Sequence, residues 1–225
     1  MVIGSPGRRR IGDLRWLVLA PHPDDETLGA GALIVEASRA RRLAGLVYLT
    51  DGSGSHETAQ GRGGCLVATR RREAATALFR LTGSREVVPL HLGWKDAAPA
   101  PPGSRAFGLT ASKLAALCRR RQVDALAVTA LHEPHCDHAA AALLAYAVQA
   151  CAKRRLLVAE YLVWGAAFEG RGHRRTRTRP MLAGKRRHAL RAHRSQLTAA
   201  SGPGFRLPAR RQRMPAADTL HMRRS

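Results

Sequence analysis

Five consecutive residues, His22-Pro23-Asp24-Asp25-Glu26, carry one imidazole and three carboxylates. Acids suit the first turn of a helix because of its dipole. That accounts for Glu26 and Asp25, but not for His22 or for the triple acid. Clustered titratable groups of this kind mark metal or catalytic sites. A second cluster, His132-Glu133-Pro134-His135-Cys136-Asp137-His138, sets three histidines at spacings of three beside acids. Within it Asp137 reads as the cap of a following helix. If the two loops meet, the first brings His22 and Asp25 and the second brings His135 or His138. Two imidazoles and one carboxylate, with positions left for water, is the ligand count of a catalytic zinc site. The same donors suit Fe2+. Asp24 stands next to them as a general base for a water acidified by the ion. The remaining histidine would polarise a carbonyl or protonate a leaving amine. Together these parts describe metal-assisted hydrolysis of an amide.

Such loops need strands to carry them. Leu14–Ala20 is a continuous apolar run of the kind buried in a parallel sheet. Thr27–Arg42 reads as a helix, with Gly29 and Gly31 letting backbone approach closely. Ala44–Thr50 is a second strand, ending at Asp51, which is either a turn former or a site residue. Gly52–Gly64 is a glycine-rich loop that could serve as a lid. Leu66–Leu81 has helical spacing, and Glu86–Leu90 reads as a short third strand. Leu92–Phe107 is rich in proline and reads as a loop, with Thr110 or Ser112 capping the next helix. Ala125–Thr129 and Leu156–Val163 are further strands, separated by a helix that runs to about Lys153, and 181–197 is helical. Strands alternating with helices give an α/β fold, a doubly wound, mostly parallel sheet with helices on both faces. The expected organisation is a basic arm over 1–12, one domain over 13–200, and a basic tail over 201–225 that adds at most a short edge strand.

The chain has 225 residues and a formal charge of +22, and all but four of its 38 basic residues are arginine. From Arg171 onward there are sixteen basic residues against one acid, Asp218. An anionic substrate or an acidic membrane surface would suit that tail. A nucleic-acid-binding protein with an inactive hydrolase-like core is the alternative. Against it, no stacking motif or DNA-reading module is evident. The four cysteines are widely spaced and form no CxxC pair, which suits a reducing cytoplasm rather than a disulfide framework. No signal peptide or membrane span is read. The oligomeric state stays open.

The two clusters, His22-Pro23-Asp24-Asp25-Glu26-Thr27-Leu28-Gly29 and His135-Cys136-Asp137-His138, resemble the signature motifs of the PIG-L/LmbE family of zinc-dependent de-N-acetylases. Other pieces fall in that family's order: Thr50-Asp51-Gly52, Arg70 with Glu73, Leu92-Gly93-Trp94 with Asp96, and His193-Arg194-Ser195-Gln196. The likeness covers roughly residues 14–200. It implies a Rossmann-like fold, zinc held by His22, Asp25 and His138, Asp24 as general base, and His135 assisting the tetrahedral intermediate. It also implies that Arg70 and Asp96 contact substrate and that His193 faces the pocket. The implied substrates are N-acetylglucosamine conjugates, either small molecules or lipid-linked. Some relatives carry an oxyanion-assisting tyrosine two residues before the first histidine of the second motif. Glu133 stands at that position, and a carboxylate there would repel an oxyanion unless it points away.

Overall fold

A computed structural model describes residues 10–57, 63–165, 167–168 and 172–223. Among the described residues seven strands form one sheet: β1 Trp16–Ala20, β2 Leu43–Thr50, β3 Leu90–Trp94, β4 Ala125–Thr129, β5 Leu157–Tyr161, β6 His173–Arg177 and β7 Thr219–Arg223. Their order is β3-β2-β1-β4-β5-β7-β6. The five strands from β3 to β5 run parallel, and β7 joins β5 and β6 antiparallel. The helices are α1 Asp25–Gly29, α2 Gly31–Arg39, α3 Gly63–Thr82, α4 Arg105–Arg120, α5 Cys136–Cys151, α6 Lys185–Leu190 and α7 Arg194–Leu197. This is the doubly wound α/β architecture that the alternating pattern implies.

The apolar run of β1 faces both ways because both faces of the sheet are covered. Trp16, Val18 and Ala20 join a core with α1, α2, α3 and α6, whereas Leu17 and Leu19 join a second core with α4 and α5. β1 is also where the winding reverses. Its register with β4, Trp16 opposite Ala125 through Leu19 opposite Val128, sets the carboxyl ends of the two strands side by side. A crevice at such a switch point is where open α/β sheets bind ligands.

The structure departs from the expected boundaries at several places, each for a local reason. The helix expected over Thr27–Arg42 is two helices broken at Ala30, whose ψ of 13° leaves the helical region. Gly29 sits against Tyr161, where an added Cβ would lie 2.2 Å from the ring; here the glycine is a steric requirement. The third strand is Leu90–Trp94 rather than Glu86–Leu90. Its register to β2 begins at Leu90, and as a half-exposed edge strand it shows no continuous apolar run. The cap of α4 is Ser104, which accepts from the Phe107 amide at 3.2 Å, and Thr110 lies inside the helix, bonding back to Ala106.

The described parts of the expected arm and tail are packed into the domain. Residues 1–9 of the expected arm lie outside the described residues, but Ile11 is buried and its carbonyl accepts from the Trp16 indole at 2.9 Å. β7, expected at most as an edge strand, lies inside the sheet between β5 and β6, with Leu220 fully buried. The reason is a buried ion pair. The Arg186 guanidinium donates to Asp218, to the carbonyls of Thr27 and Leu28 at 2.7 and 2.8 Å, and to Pro215 at 3.0 Å. The other Asp218 oxygen accepts the Leu33 amide at 2.8 Å. The one acid of the C-terminal region therefore stitches it to the start of the domain. Of the expected lid, residues 58–62 lie outside the described residues. Its first part is held by an isolated bridge from His56 to Gly204.

Candidate active site

The loop after β1 turns sharply into α1, and the turn is strained at Asp24. Its φ of 138° lies where non-glycine residues rarely sit, at a cost of about 1–3 kcal/mol that surrounding contacts must hold. They do so through the Glu26 carboxylate, which accepts the Asp24 amide at 2.9 Å, and through Arg70, which donates to Pro23 O at 2.9 Å. Strain of this kind concentrates at functional sites.

Asp25 is the hub. Its Oδ2 accepts the His22 amide at 3.0 Å and lies 3.1 Å from His22 Nδ1 and 3.2 Å from His138 Nε2. All three residues are buried. The other ring nitrogen of His22 lies 2.9 Å from Asp137 Oδ2 and 3.2 Å from Asp96 Oδ1. His138 Nδ1 is 3.2 Å from Glu133. His135, the first-turn cap of α5, accepts the Asp137 amide on Nδ1 at 3.2 Å. An amide can only donate, so neutral His135 carries its proton on Nε2. Its ring stands edge-on to His22 at 4.7 Å and is partly exposed to the cleft. The two loops thus meet, and the nitrogens of His22, His135 and His138 fall within 4.8 Å of one another.

The electrostatics describe a site short of positive charge. Burial would strip His138 of its proton, but the Asp25 charge and hydrogen bond, with Glu133, push its pKa up to about 9. Against burial, Asp137, Asp25 and Asp96 likewise hold His22 well above the usual histidine range. Burial would raise the Asp25 carboxyl, yet the charges and hydrogen bonds of His138 and His22 hold it far below the usual range. The converging carboxylates thus favour positive charge at this point, which a divalent cation would supply. His138 Nε2 is a buried nitrogen with no well-directed hydrogen bond, as a ligand atom should be. The donors present fit a catalytic zinc or Fe2+ ion.

Asp24 sits beside these donors on the cleft wall. Burial and the neighbouring Asp25 charge push its pKa up to about 7, offset in part by Arg70 and His193. His135 moves the other way, lowered by burial and by the His22 and His138 charges. The cleft holds about 210 Å³ and is lined by His22, Asp24, Asp25, Arg70, Asp96 and His135 on its polar side. Trp164, Gln196 and Phe205 line it elsewhere.

Other expected residues act from behind the wall. Arg70 lines the cleft; its guanidinium donates to the carbonyls of Gly52 (2.8 Å) and Pro23, tying two site loops together, and lies 3.9 Å from Asp24 and 3.8 Å from Asp96. Asp51 does not face the cleft; its Oδ1 accepts the amides of Ser53 at 2.9 Å and Asp96 at 3.3 Å, so it shapes the loop that presents Asp96. His193 is fully buried and pairs with Glu26 at 3.3 Å, which takes it out of reach of a ligand in the cleft. Glu133 points away, into the amides of Val163, Trp164 and Gly165 at 2.8–3.1 Å. That removes the expected repulsion of an oxyanion. Burial would raise this carboxyl, but His138 and the three amides hold it low. Asp137, read from sequence as a helix cap, is a site residue whose Oδ2 also accepts the Ala97 amide at 2.8 Å. Its position between His135 and His138 is the signal that could have found it. Gln196 closes the His193-Arg194-Ser195-Gln196 segment, whereas nothing local in the sequence marks Phe205.

At the switch point of a mostly parallel sheet, imidazoles and carboxylates converge into groups that could hold a metal ion. Residues 17–149 match the family model described as PIG-L, GlcNAc-PI de-N-acetylase, and the chain belongs to that family. Solved structures share the fold. N,N'-diacetylchitobiose deacetylase from Pyrococcus horikoshii is 21% identical over 83% of this chain and 72% of its own, with a TM-score of 0.62. A conserved protein from Thermus thermophilus, TT1542, is 26% identical over 84% and 82%, with a TM-score of 0.59. The zinc-inhibited form of teicoplanin deacetylase Orf2 is 18% identical over 94% and 98%, with a TM-score of 0.61. No curated protein sequence matches the chain.

Proposed function

We propose that the chain is a metal-dependent N-deacetylase that hydrolyses the acetamido group of an N-acetylglucosamine-type conjugate. The observation that carries this reading is the Asp25 carboxylate held between His22 and His138, with Asp24 beside them on the cleft wall, 3.9 Å from Arg70. In this reading His22, Asp25 and His138 hold the ion, zinc in the first instance and Fe2+ as the alternative. When bound, such an ion lowers the pKa of water from 15.7 to about 7 and polarises a carbonyl.

The chain's own residues supply the rest. Asp24 takes a proton from the attacking water and returns it to the departing nitrogen, so that the C–N bond breaks to an amine and acetic acid, and the acid's proton passes to the amine to leave acetate and an ammonium. His135, neutral with its proton on Nε2, donates to the carbonyl oxygen as negative charge gathers there. Asp96 and Asp137 fix the His22 ring, and Glu133 fixes His138, so neither ligand needs to reorganise. Arg70 holds the Asp24 and Asp96 loops rather than gripping substrate. The acids lining the cleft would repel a polyanion, which disfavours nucleic acid at this site. A cytoplasmic location belongs to the same reading and is supported by four free cysteines. Among the described residues no helix is long and apolar enough to cross a membrane.

The test is acetate release from a panel of N-acetylglucosamine conjugates by the parent chain and by Asp24→Asn. General acid–base groups contribute about 10²- to 10⁴-fold, so the variant should lose at least two orders of magnitude in kcat while folding normally. Equal acetate release by the two would remove Asp24 from the mechanism.

A further inference from the structure

The cleft also carries a pair of aromatic lining residues that catalysis does not require. Trp164 and Phe205 both line the cleft, with ring centroids 5.9 Å apart and edge-on. The wall is held from several directions. Glu133 accepts the Trp164 amide at 2.8 Å, and Arg211 donates to the carbonyls of Val163 and Trp164 while its guanidinium lies 5.5 Å from the indole centroid. Phe205 donates its amide to Ser55 O at 2.7 Å. The preceding Gly204, at φ 147°, packs so tightly that a Cβ would fall 2.5 Å from that same oxygen. Arg206 reaches the His56 ring at 2.6 Å. Phe205 is nonetheless 39% exposed, an apolar side chain kept at an open mouth.

We infer that Trp164 and Phe205 form a stacking surface for one pyranose ring, and that the rest of the conjugate lies outside the cleft. This rests on the proposed deacetylase reading and names the part of the substrate recognised. A glucopyranose carries its hydroxyls at the rim and C–H groups on its faces, so it suits a rigid aromatic on one side. A ring with a face against this wall would offer its 2-acetamido group and hydroxyls to the polar residues that line the same cleft, among them Asp24, His135, Ser55 and Gln196. The size agrees. At about 210 Å³ the cleft is smaller than the roughly 300–1,000 Å³ of pockets that bury drug-sized ligands, so it takes one ring.

The experiment measures binding of methyl β-N-acetylglucosaminide to the Asp24→Asn protein, alone and with Phe205→Ala, Trp164→Ala or Trp164→Phe. It is paired with KM and kcat of the same wall variants on the Asp24 background. Phe205→Ala and Trp164→Ala should raise the dissociation constant and KM tenfold or more and leave kcat within about threefold, a tenfold loss being about 1.4 kcal/mol. Trp164→Phe should restore most of the loss. Unchanged binding in folded Phe205→Ala, or equal binding of the acyclic N-acetylglycine by the parent, overturns the inference. If Trp164→Ala does not fold, Phe205→Ala, already partly exposed, decides the matter. Binding of the pyranoside without acetate release from any conjugate would overturn the deacetylase reading and leave the stacking surface standing.

Discussion

Glu133 offers a perturbation in which stability and site chemistry separate. Its carboxylate is buried, accepts three backbone amides from residues 163–165, and faces His138 Nδ1. Glu133→Ala leaves those donors without partners. A buried donor left unsatisfied costs about 1–3 kcal/mol. Val163 is buried and loses the full amount, while the half-buried Trp164 and Gly165 amides recover part of theirs from water. Adding the loss at His138, we expect a destabilisation of about 3–5 kcal/mol, the usual cost of removing one partner from a buried charged pair. At an m-value near the upper end of roughly 1–3 kcal/mol/M, the urea midpoint should fall by about 1–2 M with m unchanged. Glu133→Gln differs in kind. With its carbonyl at the Oε1 position it keeps the Val163 and Gly165 amides, but the Trp164 amide loses its 2.8 Å acceptor at Oε2 and keeps only the 3.1 Å contact to Oε1, so stability should fall by about 1–3 kcal/mol, less than in Glu133→Ala. Its NH2 then faces His138 Nδ1, which must become an acceptor, and the imidazole proton moves to Nε2, the nitrogen nearest Asp25. Divalent-ion affinity should fall about 10- to 100-fold. Urea titration and competition with a chelating dye read the two effects. A Glu133→Ala midpoint within 0.3 M of the parent (roughly 1 kcal/mol at most), or parental ion affinity in Glu133→Gln, would refute this reasoning.

The C-terminal region gives a second prediction: Asp218→Asn leaves Arg186 buried without its counter-charge and should cost about 3–5 kcal/mol in denaturant titration. For the same reason a chain ending at residue 200 should show no cooperative unfolding transition, since it lacks β7 and the Asp218 clamp. Burial pushes the Cys118 thiol up to about 11, so in native protein at pH 8 iodoacetamide should label Cys65, Cys136 and Cys151 and spare Cys118. The sign for stability follows. The folded thiol keeps its proton where an unfolded one loses it, so this group costs nothing below the ordinary thiol range and lowers stability as pH rises from there toward 11.

What can be read from the sequence is what depends on local pattern. β1 and β4 show as apolar runs because both faces of the sheet are covered, and the two acid–histidine clusters show because titratable groups are dense in them. β3 is misplaced by the same reading because an edge strand half in water carries no such run. Long-range electrostatics hide the rest. Asp137 looks like an ordinary first-turn cap until the fold brings His22 to 2.9 Å from it. Glu133 looks misplaced until three amides from a segment thirty residues on converge on it. His193 reads as a pocket residue by its motif, but pairing with Glu26 draws it under the floor. Phe205 enters the cleft only because a buried ion pair at Asp218 and the contact at Gly204 fold the C-terminal region back over the domain. Basic composition points to a tail, and the single acid within it decides otherwise.

The central claim is that His22, Asp25 and His138 share one divalent ion on which amide hydrolysis depends. The most direct measurement is metal content per chain, by elemental analysis, for the parent and for His22→Ala, Asp25→Ala and His138→Ala, with acetate release measured on the same samples before and after chelation. The account predicts one ion per parent chain, its loss in all three variants, and acetate release abolished by the chelator and restored by adding the ion back. Parental metal content in folded His22→Ala and His138→Ala, or full acetate release by metal-free protein, would contradict it.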